Sequence, residues 1–386
     1  MPPPPGYGMH DVIVVGGGPV GLYTALLLRQ AGLDAVVLER RADRSSHSRA
    51  IGIHPPALRA LAAGGIAEEL RTRGVLIRDG VARSAGRHVG TISFSTLPGE
   101  EKYVLAVPQA VTEEILERRL EEEFPGTVRR GVAVLTSRDH GDHVRTVVRS
   151  QGEDIVLEAR LVVAADGARS SIRDGAGIRA PSRRYPDCYV MGDFLDGTED
   201  GDDAVLYLET GGIVESFPLP GGIRRWVVRV GCPVERPTAE NLTALIRDRT
   251  GVAVDATTHS MLSAFEVQSR LAERFVAGRT VLVGDAAHEV SPIGGQGMNL
   301  GWLDAVRLVP IIAASLRDGD DVGARLAEYE KERRAQAALA RRKAHLNMAL
   351  GRPLPGPLMR SRNAVLAALI RNDAVHTAVA RAFTMQ

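Results

Sequence analysis

Apolar residues come first in this chain as short unbroken runs and later as alternations. Residues 11–15 and 35–38 are runs rich in β-branched side chains, the pattern of strands buried on both faces of a parallel sheet. Between them, residues 22–31 have helical composition and Gly32 follows as a C-cap. Together they predict a βαβ unit. Helices are predicted over 54–73, opening at Pro55 and Pro56, and over 109–123. Strands are predicted within 75–107, over 131–149 and over 154–164. From 181 to 265, short runs are separated by turns such as Gly211-Gly212 and Pro220-Gly221-Gly222, which predicts a mostly antiparallel sheet. Residues 281–283 form a further buried strand. A glycine-rich segment at 294–301 leads into a helix that Pro310 should kink or end. Residues 323–348 read as a long helix with a solvated Arg and Glu face. A last helix is predicted at about 361–383, after Pro353, Pro355 and Pro357.

Composition narrows the class. The 386 residues are 44% apolar and 25% charged, the balance of a globular chain with two or three domains. Forty-eight bases against 47 acids leave no net field to draw nucleic acid or an anionic membrane. No run of about 18 apolar residues predicts a membrane span. Residues 1–7 lack the charged and apolar regions of a signal peptide. Cys188 and Cys232 cannot build a disulfide framework or a zinc site and read as small buried hydrophobes. The expected setting is the reducing cytoplasm. No metal is expected.

The chemistry is carried by glycines. Gly16-x-Gly18-x-x-Gly21 lies between a strand and a helix, with Glu39 eighteen residues beyond at the end of the second strand. The first glycine permits a tight turn, the second lets the backbone approach a pyrophosphate, and the third lets helix and strand pack. Free N–H groups and the helix dipole favour the anion. Glu39 would accept hydrogen bonds from ribose hydroxyls. Alone, this motif does not separate NAD from FAD. A second strand delivers Gly284 and Asp285 at its C-terminal end, where ligands of open α/β sheets bind. The glycines of Pro292-Ile-Gly-Gly-Gln-Gly-Met-Asn-Leu-Gly301 then let backbone lie against a flat ring. The helix beginning near Met298 supplies positive potential there.

The pairing of these two motifs resembles the single-component FAD-dependent monooxygenases of the para-hydroxybenzoate hydroxylase type. Asp166-Gly-Ala-Arg-Ser-Ser-Ile-Arg173 resembles the family's Asp-Gly motif, which serves both FAD and NAD(P)H. Ser48-Arg49-Ala50 resembles its flavin-contacting segment, and Pro108-Gln109 the position where Gln meets the ribityl chain. The resemblance implies an α/β fold: a Rossmann-like FAD-binding domain of the three-layer ββα type, an inserted antiparallel β-sheet substrate domain and a C-terminal helical tail. The boundaries expected are 1–180 and 265–345 for the FAD domain, 181–264 for the substrate sheet and 346–386 for the tail, with 75–106 available to the substrate side.

The implied reaction uses NAD(P)H, FAD and O2, through a flavin C4a-hydroperoxide, to hydroxylate an aromatic or polycyclic small molecule of secondary metabolism. The rivals are epoxidation, Baeyer–Villiger oxidation or antibiotic inactivation on the same fold, or a non-redox cyclase holding FAD structurally. Cofactor contacts are expected from Gly16, Gly18, Pro19, Gly21, Glu39, Arg40, Arg49 and Gln109. Asp166, Gly167, Gly284, Asp285, Pro292, Gly295, Gly297, Met298 and Asn299 complete that set. Arg49, Pro292 and His288 are the catalytic candidates; His47 and His54 flank Arg49 and could touch flavin or substrate. Met191, Tyr207, Phe217 and Trp226 are the substrate candidates. Arg224 and Arg225 read as a solvated turn, with binding of an acidic substrate as the alternative. The protein is expected to be a monomer or homodimer, with no nucleic-acid or membrane partner.

Overall fold

The computed structural model describes residues 9–44 and 50–386. Two eight-stranded sheets organise them. In the first, His10–Val15 lies between Ala35–Glu39 and Glu153–Ala164, flanked in turn by Val128–Arg130 and Thr280–Leu282, all parallel. Helices Pro19–Gln30 and Gly297–Asp318 pack on each other beside this layer, which explains why Val12, Ile13 and Val14 are wholly buried. The hairpin Val132–Asp139 and Val144–Ser150 extends the sheet antiparallel from Glu153–Ala164.

The second sheet runs His288–Glu289, Met261–Leu271, Ser182–Leu195, Ile223–Val230, Val214–Leu219, Ala204–Tyr207, Asp79–Ser84, Arg87–Ser93. Every pair is antiparallel except Ala204–Tyr207 with Asp79–Ser84. The fold is α/β, with a Rossmann-like layer, an antiparallel sheet and a helical tail. Helix Ala239–Thr250 covers one face of the antiparallel sheet, packing on Trp226, Val228 and Phe194. Thr238 caps its start by accepting from the Asn241 N–H, and Gly251 ends it at φ +78°.

Three helices end the chain: Gly323–Leu350, Gly356–Ile370 and Asp373–Phe383. They are tied to the second sheet. The Ile213 N–H donates to the Gly351 carbonyl at 3.0 Å. Arg352 and Arg229 both donate to the buried carboxylate of Asp187, at 2.7 and 3.0 Å.

Several local expectations change. The helix predicted over 54–73 is two, Pro55–Ala63 and Ala67–Thr72, because Gly64-Gly65 intervenes with Gly65 at φ +75°. The last helix is also two, split where the Asn372 side chain caps the second. Pro310 does not end its helix, which continues to Asp318 with Leu308, Ile311 and Ile312 buried; packing of that face outweighs one lost hydrogen bond. By length and composition this helix could cross a membrane, but it is mostly buried here as a core helix. Cys188 is buried, whereas Cys232 is exposed and not the buried hydrophobe expected.

Candidate functional site

A cavity of about 1090 Å³ runs between the two sheets and the tail. One end is built from loops at the C-terminal ends of the parallel strands. Gly16 turns the chain at φ +109°, and a Cβ there would strike the Ala165 carbonyl. A Cβ at Gly21 would strike the Gly16 carbonyl. At Gly18, by contrast, nothing stands within 4 Å, so the backbone lies open to the cavity at the helix N-cap. Pro19 lines the wall beside it, at a position where its missing N–H costs nothing.

Glu39 is buried in this wall. Its Oε2 accepts from the Gly17 N–H at 2.7 Å, and its Oε1 accepts from the Arg41 N–H at 2.9 Å and Nε at 3.0 Å. Burial opposes the charge, but these donors outweigh it and hold the carboxyl below its ordinary value. A carboxylate has about four acceptor sites, so capacity for a further donor remains. Asp166 accepts from the Ile172 N–H at 3.3 Å through Oδ2, while its buried Oδ1 has no partner among the described residues. Gly167 follows at φ +83° with nothing within 4 Å of a Cβ. Arg40 and Gln109 line the same end.

Further along, Asp285 stands exposed on the cavity wall. It has no hydrogen-bond partner among the described residues, and the protein crowded around it pushes its carboxyl up to about 6. A Cβ at Gly297, the first residue of the helix, would lie 3.7 Å from Asp285 Oδ1. Pro292, Gly295, Gly297 and Met298 form the adjoining wall.

Arg49 and His47 fall outside the described residues, whereas His54 can be placed. It lines the cavity, with Nε2 3.2 Å from the Gly294 carbonyl and Nδ1 unpartnered among the described residues. Burial lowers it to about 4, so the ring is neutral.

Four expected contacts lie elsewhere. Asn299 is fully buried: its Oδ1 accepts from the His54 N–H at 2.8 Å, and its Nδ2 donates to the Gly52 and Gly295 carbonyls. It ties the strand Gly52–Ile53 to the glycine loop and does not line the cavity. His288 is equally buried, with Nε2 2.6 Å from Asp304 Oδ2. Asp304 also accepts from Arg333 Nε at 2.7 Å and from the Gly284 N–H at 3.0 Å. Burial would raise the Asp304 carboxyl, but His288 and Arg333 hold it low. This cluster pins the Gly284 turn from behind, so His288 is a positioning residue. Gly284 lies behind the wall and Gly21 behind the Gly16 turn. Arg333 is the buried exception to the solvated face expected of its helix.

The antiparallel sheet closes the other end. Met191 and Phe217 line the cavity. Tyr207 and Trp226 do not: they stack with ring centres 5.9 Å apart beneath helix Ala239–Thr250. Side chains alternate along a strand, so Met191 and Trp226 face opposite ways. Arg224 and Arg225 are buried, not a solvated turn. Arg225 faces the cavity and grips Asp193 at 2.6 and 2.7 Å; Arg224, on the other face, pairs with Asp196 at 2.8 Å. Glu215 also lines the chamber, as do Leu346, Leu366 and Phe383 of the tail.

A family model described as "FAD binding domain" matches residues 9–344. The chain belongs to that FAD-binding family. It is 34% identical to a rifampicin monooxygenase of Streptomyces venezuelae, over 90% of this chain and 73% of the relative. It is 33% identical to a dialkyldecalin synthase of Streptomyces rugosporus, over 85% of this chain and 70% of the relative. The crystal structure of p-nitrophenol 4-monooxygenase from Pseudomonas putida superposes with a TM-score of 0.88 at 26% identity, covering 97% of this chain and 98% of that one.

The nucleotide end fits the flavin cofactor on its own chemistry. The open backbone at Gly18 and the helix N-terminus suit a pyrophosphate. Glu39 has acceptor capacity left for a ribose. The buried Asp166 Oδ1, without a partner among the described residues, and the Asp285 carboxylate exposed to the cavity can both accept hydrogen bonds, and ribityl hydroxyls are donors of that kind.

Proposed function

We propose that this protein is an FAD-dependent monooxygenase that uses NAD(P)H and O2 to hydroxylate an aromatic or polycyclic small molecule, of the polyketide kind. The observation that carries this reading is the single continuous cavity. Polar oxygens and open backbone line one end, and a mostly apolar chamber, with Glu215 and Arg225 in its wall, forms the other. The flavin, when bound, would supply the redox chemistry. The chain's own residues bind and orient it through Glu39, Asp166 and Asp285, and exclude water with Met191, Phe217 and the tail helices. We further propose a cytoplasmic protein, monomeric or homodimeric, acting on free small molecules.

The purified protein should be yellow and release FAD on denaturation. NADH or NADPH oxidation should accelerate when the substrate is added, and isotopically labelled O2 should deliver one atom to the product. Label entering from water instead would sink the proposal. The likeness to a dialkyldecalin synthase favours one alternative, a ring-forming reaction with FAD held for structure. Under that alternative NAD(P)H would not bleach the flavin, even with substrate present.

A further inference from the structure

The near-neutral charge of the chain conceals a strong segregation. Residues 334–386 hold nine of its 48 bases and one of its 47 acids, Asp373. Apart from Arg352, which pairs with Asp187, none of those bases is in an ion pair among the described residues. Large exposed apolar side chains gather in the same stretch. Among the described residues, seven of eleven lie between Leu339 and Phe383.

The two features share a surface. Leu339, Arg342, Leu346 and Leu350 recur every three or four residues, so they stand on one side of Gly323–Leu350. Leu358, Arg362, Val365 and Leu369 do the same on Gly356–Ile370. Arg362 joins the two sides by donating to the Leu350 carbonyl at 2.6 Å. Leu346, Leu350 and Leu369 also line the cavity while 39–59% exposed, so the chamber opens between these helices. Lys343 and Arg381 line a crevice that adjoins the cavity at Lys343, and Asp373 is the one acid in it.

We infer that this rim docks the protein on an anionic lipid surface, with the mouth of the chamber against the bilayer. An apolar stripe beside unpaired bases suits a membrane interface, its apolar side chains among the acyl chains and its cations at the phosphates. Such contact is peripheral and needs no spanning helix. The expectation that no net field draws the chain to a membrane averages this tail with a remainder in which acids outnumber bases. A second copy of the chain fits the face poorly, because a symmetric contact would set one basic tail against the other. A bilayer also dissolves flat apolar molecules, which could then enter the chamber without crossing water. That entry route rests on the function proposed above, whereas the docking does not.

The test is co-sedimentation of the full-length, FAD-loaded protein with two sets of vesicles. One set is phosphatidylcholine alone, and the other is phosphatidylcholine mixed with phosphatidylglycerol. The protein should bind the anionic set at least about 10-fold more tightly, and salt at about 0.5 M should weaken that binding. Arg342→Glu with Arg381→Glu should lower it by about 10-fold or more, as should Leu358→Ser with Val365→Ser. None of these four residues lines the cavity, so FAD occupancy and melting temperature should stay near wild type.

Four outcomes overturn the proposal. Equal binding to both sets, or to neither, removes the anionic surface. Binding that survives in both double variants places the lipid contact elsewhere. Wild type that stays off vesicles but self-associates, and no longer does so after Leu358→Ser with Val365→Ser, gives the face to a second copy. Wild type that stays off vesicles but binds polyglutamate gives it to an acidic protein. Vesicle binding reads no flavin reduction, so its absence leaves the oxidation reading standing. That reading fails separately, through a flavin that NAD(P)H does not bleach.

Discussion

The parallel and antiparallel sheets end at the same cavity but meet it differently. The parallel layer presents strand ends: Gly16–Gly18, Asp166–Gly167 and Asp285 stand on turns just past Val15, Ala164 and Leu282. What it offers is largely main chain, shaped by glycine and held from behind by buried polar clusters. The antiparallel sheet presents a face, and so offers every second side chain. The difference teaches that backbone recognition must be written in contiguous glycine motifs. Recognition by a face is scattered along several strands and acquires meaning only through their register.

The largest test of this contrast removes a support behind the turns. Asp304→Ala leaves Arg333 and His288 without their shared carboxylate in the core. It should destabilise the protein by roughly 3–5 kcal/mol in chemical denaturation; a cost under about 1 kcal/mol would mean that the Gly284 turn needs no such support. Next comes a pair of variants on the two faces of the antiparallel sheet. Trp226→Leu should cost about 3 kcal/mol and leave the ranking of ligands unchanged. Met191→Phe should cost about 1.5 kcal/mol or less yet reorder that ranking. The reverse pattern would destroy the distinction between faces.

A smaller effect is expected at the cofactor. Asp285→Ala should weaken FAD binding by about 10- to 100-fold, measured by flavin fluorescence after dialysis. Unchanged affinity would reject its role as an acceptor. The smallest effect concerns pH. The Glu215 carboxyl is raised in the fold, so its stabilising contribution is complete below the unfolded value of about 4.5. That contribution is lost as pH rises through about 7. The FAD-loaded protein without substrate should lose on the order of 1 kcal/mol between pH 5 and 8, and Glu215→Gln should lose less. Equal losses would place the titration elsewhere.

Much of the nucleotide end was legible because each of its parts sits next to a strand end in the chain. Gly16, Gly18, Glu39, Asp166 and Asp285 each follow a run of buried strand residues, and those runs identify themselves. Asn299 and His288 sit inside the same motifs, but motif membership does not say whether a side chain faces the ligand or the core. Both face inward and act by holding backbone. In the substrate half, size misled: Trp226 and Tyr207 are large residues of the kind that line pockets, and both fill the core beneath a helix. Glu215 and Arg225 left only a faint signal, charged residues in strands otherwise buried. Reading it requires knowing that Asp193 lies across from Arg225 in the paired strands. Nothing in the charged pattern of Gly323–Leu350 announced that its end, with the helices after it, would roof the chamber.

The parallel pairing of Ala204–Tyr207 with Asp79–Ser84 bears on how the chain can be made. Residues emerging early from the ribosome supply the last two strands at one edge of a sheet whose other members begin about ninety residues later. During that interval the Asp79–Ser93 hairpin has a bare edge and no partner, while Glu153–Ala164 can already join His10–Val15. Such long-range closure slows folding and prolongs the exposure of an unpaired strand. Cutting this gene at the sheet boundary would therefore not yield two autonomous pieces. Expression of the intact chain should benefit from slower translation or a holding chaperone during the second hundred residues.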